Sequence, residues 1–231
     1  MDEFKIKAMA KELGADLCGI ASAGKFKDSP HGFNPLDIYS KSKSVIVFAK
    51  RVPAEVLSAE NCIPYTHVSE VIVGEVDRLG VKLCLKLEDL GIGAVPIPSD
   101  DPSGYWEAEN KYARGILSLR HAGYLAGLGV LGRNTLLINK RFGNMIQIGA
   151  VLADIQLKSD PIANYSICPD KCNLCIDSCP QKALDGVTVN QKLCRVLSNF
   201  VTEREYVLKK CHSCRSVCPH VFGIRGKNNR A

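Results

Sequence analysis

Two stretches decide how this chain is read: Cys168–Pro180, CPDKCNLCIDSCP, and Cys211–Pro219, CHSCRSVCP. Both end in C-x2-C-x3-C-P, so the second repeats the first. With Cys194 the pattern is Cys168-x3-Cys172-x2-Cys175-x3-Cys179 followed by Cys194-x16-Cys211-x2-Cys214-x3-Cys218. Soft, deprotonated sulfur suits iron, and a tight turn carries several ligands round one face of a metal group. Paired C-x2-C also builds four-cysteine zinc sites, which is the alternative. Eight cysteines dividing into two sets of four, each closed by C-x3-C-P, favour two [4Fe–4S] clusters.

In two-cluster ferredoxins the cysteine before proline ligates the other cluster. On that logic Cys168, Cys172, Cys175 and Cys218 form one set, and Cys179, Cys194, Cys211 and Cys214 the other. The three-residue gap after Cys168 and the long approach from Cys194 change loop geometry without removing a ligand. The remaining thiols, Cys18, Cys62 and Cys84, read as small buried hydrophobes.

Around this segment the chain reads as an ordinary globular protein. It has 231 residues, 46% hydrophobic and 23% charged, enough for one large or two small domains. No apolar run reaches the roughly 18 residues of a membrane span. Met1–Lys7 lacks the apolar core of a signal peptide, so the expected location is cytoplasmic, with no membrane partner. Cysteine crowded into one segment of such a protein points to metal rather than disulfides. The formal charge of +6 counts these thiols as neutral. Eight thiolates and two oxidised cores would bring it to roughly +2, which weakens any argument for nucleic acid. The basic residues Arg225, Lys227 and Arg230 sit in a Gly/Asn-rich tail that reads as disordered.

Apolar spacing predicts helices over Phe4–Leu13, Val68–Leu90 and Gly115–Ala126. Strands are expected at Asp16–Ala21, Ser44–Ala49 and Gly93–Ile97, and Ser99–Asn110 as a polar loop. Thr135–Asn139 and Met145–Ala153 read as a hairpin around 140–144. Helices interleaved with strands suggest an α/β or α+β domain over 1–160, followed by the cysteine domain at 161–231.

Gly127-Leu128-Gly129-Val130-Leu131-Gly132 fits G-x-G-x-x-G, but a dinucleotide site needs a strand before it and a helix after it. Here the order is reversed. The glycines read instead as a helix C-cap and a tight turn where backbone passes close to something large.

His121–Ile138 (HAGYLAGLGVLGRNTLLI), with Phe142-Gly143, Gly149–Asp154 and the two cysteine groups, resembles epoxyqueuosine reductases. These are corrinoid-dependent iron–sulfur enzymes related to the reductive dehalogenases. The resemblance implies an α+β, nitroreductase-like, cobalamin-binding core with a mixed sheet, plus a two-cluster ferredoxin-like domain. It implies electrons passing through the clusters to a bound cobalamin, or a similar cofactor such as a flavin, for reduction of a modified base of tRNA. It places Gly127, Gly129, Gly132, Arg133, Asn134 and Thr135 near the cofactor. An electron donor such as ferredoxin or flavodoxin is the expected partner.

The chain departs from the family at two points. The family's proton-donating aspartate stands about fourteen residues before GLG, where this chain has Tyr112-Ala113-Arg114. The family's C-terminal helical repeats, which help grip tRNA, have no counterpart after Pro219. The catalytic residue is therefore unassigned, with Asp100, Asp101, Glu107, Glu109 and His121 as candidate acids. His121, on an apolar helix, reads more readily as a hydrogen-bonded core residue than as a catalyst. Tyr105, Trp106 and Tyr112 read as packing or as a cover for a flat macrocycle. The alternative function is electron delivery to a partner, for example a corrinoid protein, with no substrate of its own.

Overall fold

The structure is a computed structural model that describes residues 1–224. The basic residues Arg225, Lys227 and Arg230 lie outside the described residues. Helix α1 (Glu3–Glu12) starts where Asp2 accepts a hydrogen bond from Lys5 N at 2.9 Å, a side-chain cap that satisfies an orphan amide. It buries Ile6 and Ala10. After β1 (Leu17–Ser22), the short α2 (Pro35–Ile38) is held by a reciprocal cap between Asn34 and Asp37. Then come β2 (Ser44–Arg51), the 26-residue α3 (Ile63–Glu88) and β3 (Ala94–Ile97).

β1, β2, β3 and a later strand, β8 (Ile146–Ala153), make one sheet in the order β1-β2-β8-β3. Alternate side chains of β2 go to opposite faces. Ile46 and Phe48 meet Ile6, Val76, Leu79 and Leu83 of α1 and α3. Val45, Val47 and Ala49 meet Ala122 and Ala126 on the other side. Burial on both faces is why SVIVFA reads as an unbroken apolar run. Gly149 makes the layering possible, since a Cβ there would stand 2.5 Å from Val76 Cγ1 and 2.6 Å from Phe48 Cε2.

The described strands pair antiparallel throughout, with registers such as Leu17↔Ala49, Phe48↔Gly149 and Ala94↔Ala153. The expected mixed sheet is thus corrected to an antiparallel one. A central strand covered on both faces carries the same apolar signature in either orientation.

Other expectations change locally. Ser99–Asn110 is not all loop, because β4 (Tyr105–Glu107) pairs with β5 (Tyr112–Arg114). The helix expected over Gly115–Ala126 is confined to α4 (Leu119–Leu125). The expected hairpin of 135–139 with 145–153 does not form. β6 (Val130–Leu131) pairs with β7 (Leu137–Ile138), and a single Asn139↔Gly143 bridge closes the turn. β8 instead pairs with β2 along its whole length and with β3 over 150–153.

Residues 161–224 contain α5 (Leu174–Asp177), α6 (Gln191–Ser198), β9 (Phe200–Val201), β10 (Val207–Leu208) and α7 (Ser213–Ser216). Just before them Asp160 is anchored rather than free. It accepts hydrogen bonds from Ile20 N at 2.8 Å and Lys7 Nζ at 2.5 Å, while its own amide donates to Ile20 O at 2.8 Å.

Candidate functional site

The cysteine loops come together through two short helices, α5 and α7, each starting inside a C-x2-C. The extra residue after Cys168 is absorbed by Lys171, which takes a left-handed backbone (φ +60°), and a turn from Cys172 N to Pro169 O at 3.0 Å. Cys168, Cys172, Cys175 and Cys218 line one small cavity with Ile167 and Leu174. Their charges feel one another. Burial first, then Cys168 and Cys172, push the Cys175 thiol up. Burial first, with Cys168, Cys175 and Cys172 adding to it, does the same at Cys218.

The other four also meet. Burial, then Cys194, push Cys214 to about 11, with Cys211 and Cys179 contributing in the same direction. Cys179, Cys194 and Cys214 share a small apolar cluster with Ala183 and Leu184. Cys175 of the first four also belongs to that apolar cluster, so the two groups of thiols lie side by side. Among the described residues, no group of three or more His, Cys, Asp or Glu side chains is arranged to hold a single metal ion. Amides point at two of the sulfurs: Arg133 N to Cys168 Sγ at 3.5 Å, and Ala183 N to Cys179 Sγ at 3.3 Å.

The glycine stretch joins this segment to the sheet. Gly127 (φ +75°) ends α4 in the left-handed region and passes the backbone of Pro161; Gly129 lies so near Ile138 that a Cβ would stand 2.5 Å from its carbonyl oxygen. The large neighbour inferred for these glycines is the protein's own backbone. Arg133 Nη1 donates to Cys172 O at 3.2 Å, and buried Asn134 donates Nδ2 to Cys214 O at 3.0 Å. Arg133 and Asn134 thus reach one loop of each set. Both also line the small cavity, while Thr135, at φ +62°, turns its carbonyl to Arg120.

Beside the sheet lies a cleft of about 860 Å³, at the upper end for small-molecule sites. Its wall includes β5, α4, the start of β8, and two residues of the cysteine segment, Gln191 and Arg215. None of Gly127, Gly129, Gly132, Arg133, Asn134 or Thr135 lines it. Of the candidate acids, Asp100 and His121 line it, and Asp101, Glu107 and Glu109 do not. His121 is exposed rather than core, 2.7 Å from Ser118 Oγ, and burial followed by Arg120 pushes its pKa down. Tyr112 lines the cleft; Tyr105 and Trp106 do not. Instead Trp106 stacks under Arg195, with the guanidinium carbon 5.4 Å from its ring.

Gln191 fixes that wall: its Oε1 accepts from Ala113 N and its Nε2 donates to Ala113 O, both at 3.0 Å. Asn144, 1% exposed, also lines the cleft; its Nδ2 donates to Arg215 O at 3.2 Å, and its Oδ1 is buried with no partner. Sequence reading had passed over Arg120, Asn144, Gln191 and Arg215. Only Arg120 left a signal, a cation inside the apolar stretch before GLG.

No protein-family model matches the chain. It is 26% identical over 259 residues to the epoxyqueuosine reductase of Leadbetterella byssophila, covering 93% of this chain and 78% of that protein. It is 28% identical over 201 residues to the tetrachloroethene reductive dehalogenase of Dehalobacter restrictus, covering 77% of this chain and 33% of that one. Among solved structures, epoxyqueuosine reductase from Streptococcus thermophilus superposes with a TM-score of 0.68 at 20% identity, over 96% of this chain and 66% of that chain. An epoxyqueuosine reductase bound to a tRNA-Tyr stem-loop gives 0.63 at 18%, over 94% of this chain and 64% of that one. A reductive dehalogenase described as B12-dependent gives 0.66 at 18%, over 97% of this chain and 32% of that one. These structural likenesses establish the fold. Taken with the sequence match over nearly its full length, they make the chain similar to the epoxyqueuosine reductases and, more distantly, to reductive dehalogenases.

Proposed function

We propose that the chain is an iron–sulfur oxidoreductase that carries electrons through two [4Fe–4S] clusters to a corrinoid in the 860 Å³ cleft, for reduction of a substrate. The carrying observation is the juxtaposition of two four-sulfur sets with a large cleft whose wall they share through Gln191 and Arg215. The sulfurs suit the clusters on chemistry as well as number. Eight soft thiolate donors in two C-x2-C-x3-C-P repeats suit iron–sulfur ligation, the second repeat ending in the cysteine that joins the first group. Grouped buried thiols that resist ionisation are stabilised as thiolates once iron sits among them. We assign residues 161 onward to this cluster-binding unit, and 1–160 to the cofactor-binding core.

The cleft fits a large cofactor by volume, and the buried, unpartnered Asn144 Oδ1 at its wall leaves an acceptor for one. A corrinoid, when bound, supplies a low-potential cobalt centre for reductive chemistry. Tyr112, Arg114, Arg120, His121 and Asn144 are the residues in place to hold it or the substrate. Reduction also needs a proton. Asp100, His121 and the Tyr112 hydroxyl, 3.3 Å from Arg114 Nε, are the groups placed to hold one beside the cleft. By analogy with the tRNA-bound relative, a modified tRNA base is the proposed substrate, a ferredoxin- or flavodoxin-type donor the electron source, and the cytoplasm the location. No described helix is long and apolar enough to cross a membrane.

One observation favours the alternative, an electron-delivery protein acting on a partner such as a corrinoid protein. β5, where the family carries its acid, is Tyr112-Ala113-Arg114, with no carboxylate. Anaerobic purification with cobalamin supplied separates the readings. About eight irons per chain and a bound corrinoid support the enzyme. Iron without corrinoid, with reduction of an added corrinoid protein, supports the carrier. Zinc or disulfides in place of iron and sulfide would sink both.

A further inference from the structure

The cleft contains a cation that no carboxylate pairs with, its one electrostatic side-chain neighbour being the Tyr112 phenol. Arg120 lines it from α4, is partly buried, and donates a single hydrogen bond, Nη1 to Thr135 O at 2.5 Å. The ion pairs among the described residues all lie elsewhere: Lys7–Asp160, Lys50–Glu75, Arg51–Asp16 and Arg78–Glu75. A guanidinium has five N–H donors and keeps its charge in a protein. Burial lowers its pKa from the ordinary value, as expected of a cation stripped of solvent.

The other cations of the cleft are occupied differently. Lys25 Nζ donates to the carbonyls of Leu125 at 3.1 Å and Asp160 at 2.9 Å, and Arg215 donates to Asn144 O. Arg114 lies over the Phe33, Tyr105 and Tyr112 rings at 5.6, 5.1 and 5.1 Å. The cleft carboxylates Asp28 and Asp100 are exposed and pair with none of these arginines. A partly desolvated arginine with unused donors is costly unless an anion meets it.

We propose that Arg120 anchors an anion subsite in the cleft, where its planar fork takes a phosphate group of the bound ligand and exposed Arg114 is the second cation nearby. The fork suits bidentate recognition of phosphate or carboxylate. The choice of phosphate rests on the proposed function: a corrinoid carrying its nucleotide tail and an RNA substrate both bring one. The partial burial of Arg120, against the more exposed Arg114, favours the tail of a small molecule over a polymer backbone.

The test uses the cluster-loaded chain, prepared anaerobically and titrated with cobalamin and with cobinamide, which lacks the phosphate-bearing tail. Arg120→Gln weakens cobalamin binding about tenfold or more and leaves cobinamide within about twofold. Arg120→Lys, which keeps the charge without the fork, falls between. Equal losses for both corrinoids, or no loss for either corrinoid or for a tRNA stem-loop titrated in the same way, overturn the proposal, with unchanged iron content showing that the variants are folded. A loss confined to a tRNA stem-loop keeps the subsite and assigns its phosphate to RNA. If the wild type binds neither corrinoid, the proposed cofactor is wrong. The subsite is then read with inorganic pyrophosphate: binding that Arg120→Gln removes supports it, and no binding overturns it.

Discussion

Lys171 shows how one backbone torsion admits a non-standard cysteine spacing. The spare residue of Cys168-x3-Cys172 sits at φ +60°, where only glycine is free of strain. Lys171→Gly should be neutral or stabilising by up to about 1 kcal/mol, whereas Lys171→Val should cost about 1–3 kcal/mol. Thermal melts and iron content check both. Cys18 and Cys84 show the opposite kind of constraint, since burial pushes each thiol up to about 12. Their folded pKa values lie above the ordinary thiol value of 9.0, so the neutral thiol is the form that folding favours. That contribution is complete below about pH 9 and fades as pH rises towards 12. Denaturant midpoints measured across that window should fall less steeply in Cys18→Ala than in the parent. Both thiols should also resist alkylation near neutral pH, in line with reading them as small buried hydrophobes.

Among the elements, the β4–β5 hairpin carries the most consequence for the cleft. Its strands are short, and an isolated two-stranded hairpin is marginal in water. It is held at β5 by the paired Gln191–Ala113 amide bonds and at β4 by Arg195 over Trp106. Gln191 and Arg195 flank Cys194 on α6, so the helix that presents one sulfur also braces the cleft wall. Gln191→Ala should leave iron content unchanged while hydrogen exchange at residues 112–114 rises by about tenfold, the equivalent of roughly 1–1.5 kcal/mol. Unchanged exchange would show that the wall stands without α6. The glycine stretch is the second such joint. Gly129→Ala would drive a Cβ to 2.5 Å from the Ile138 carbonyl oxygen, with backbone on both sides. A loss of about 1–3 kcal/mol is expected, with the cluster loops released in parallel.

On the scale of the whole molecule, the sheet and the cysteine segment differ in what holds them. The sheet is sandwiched between α1 and α3 on one face and α4 on the other, with two full clusters of buried apolar side chains. The largely buried residues around the second sulfur set are few, namely Cys175, Cys179, Ala183 and Leu184. So small a core cannot offset its own chain entropy, and the clusters proposed above would supply the difference. Removing iron by chelation should therefore expose residues 165–220 to protease first, while the sheet retains its secondary structure. Simultaneous loss of both regions would show that they unfold as one unit.

The periodic apolar runs alone placed β1, β2, β3, α1 and α3, because local spacing reports burial directly. The cysteine spacing alone suggests two fours, since ligand chemistry is written in adjacent residues. Strand orientation, the partner of β7 and the β4–β5 pairing escaped it, because pairing depends on which edges remain free once distant strands have met. The cleft escaped it most fully. Arg120, Asn144, Gln191 and Arg215 are separated by up to 95 positions (215 − 120), and only packing of the cysteine segment against the sheet brings them to one wall.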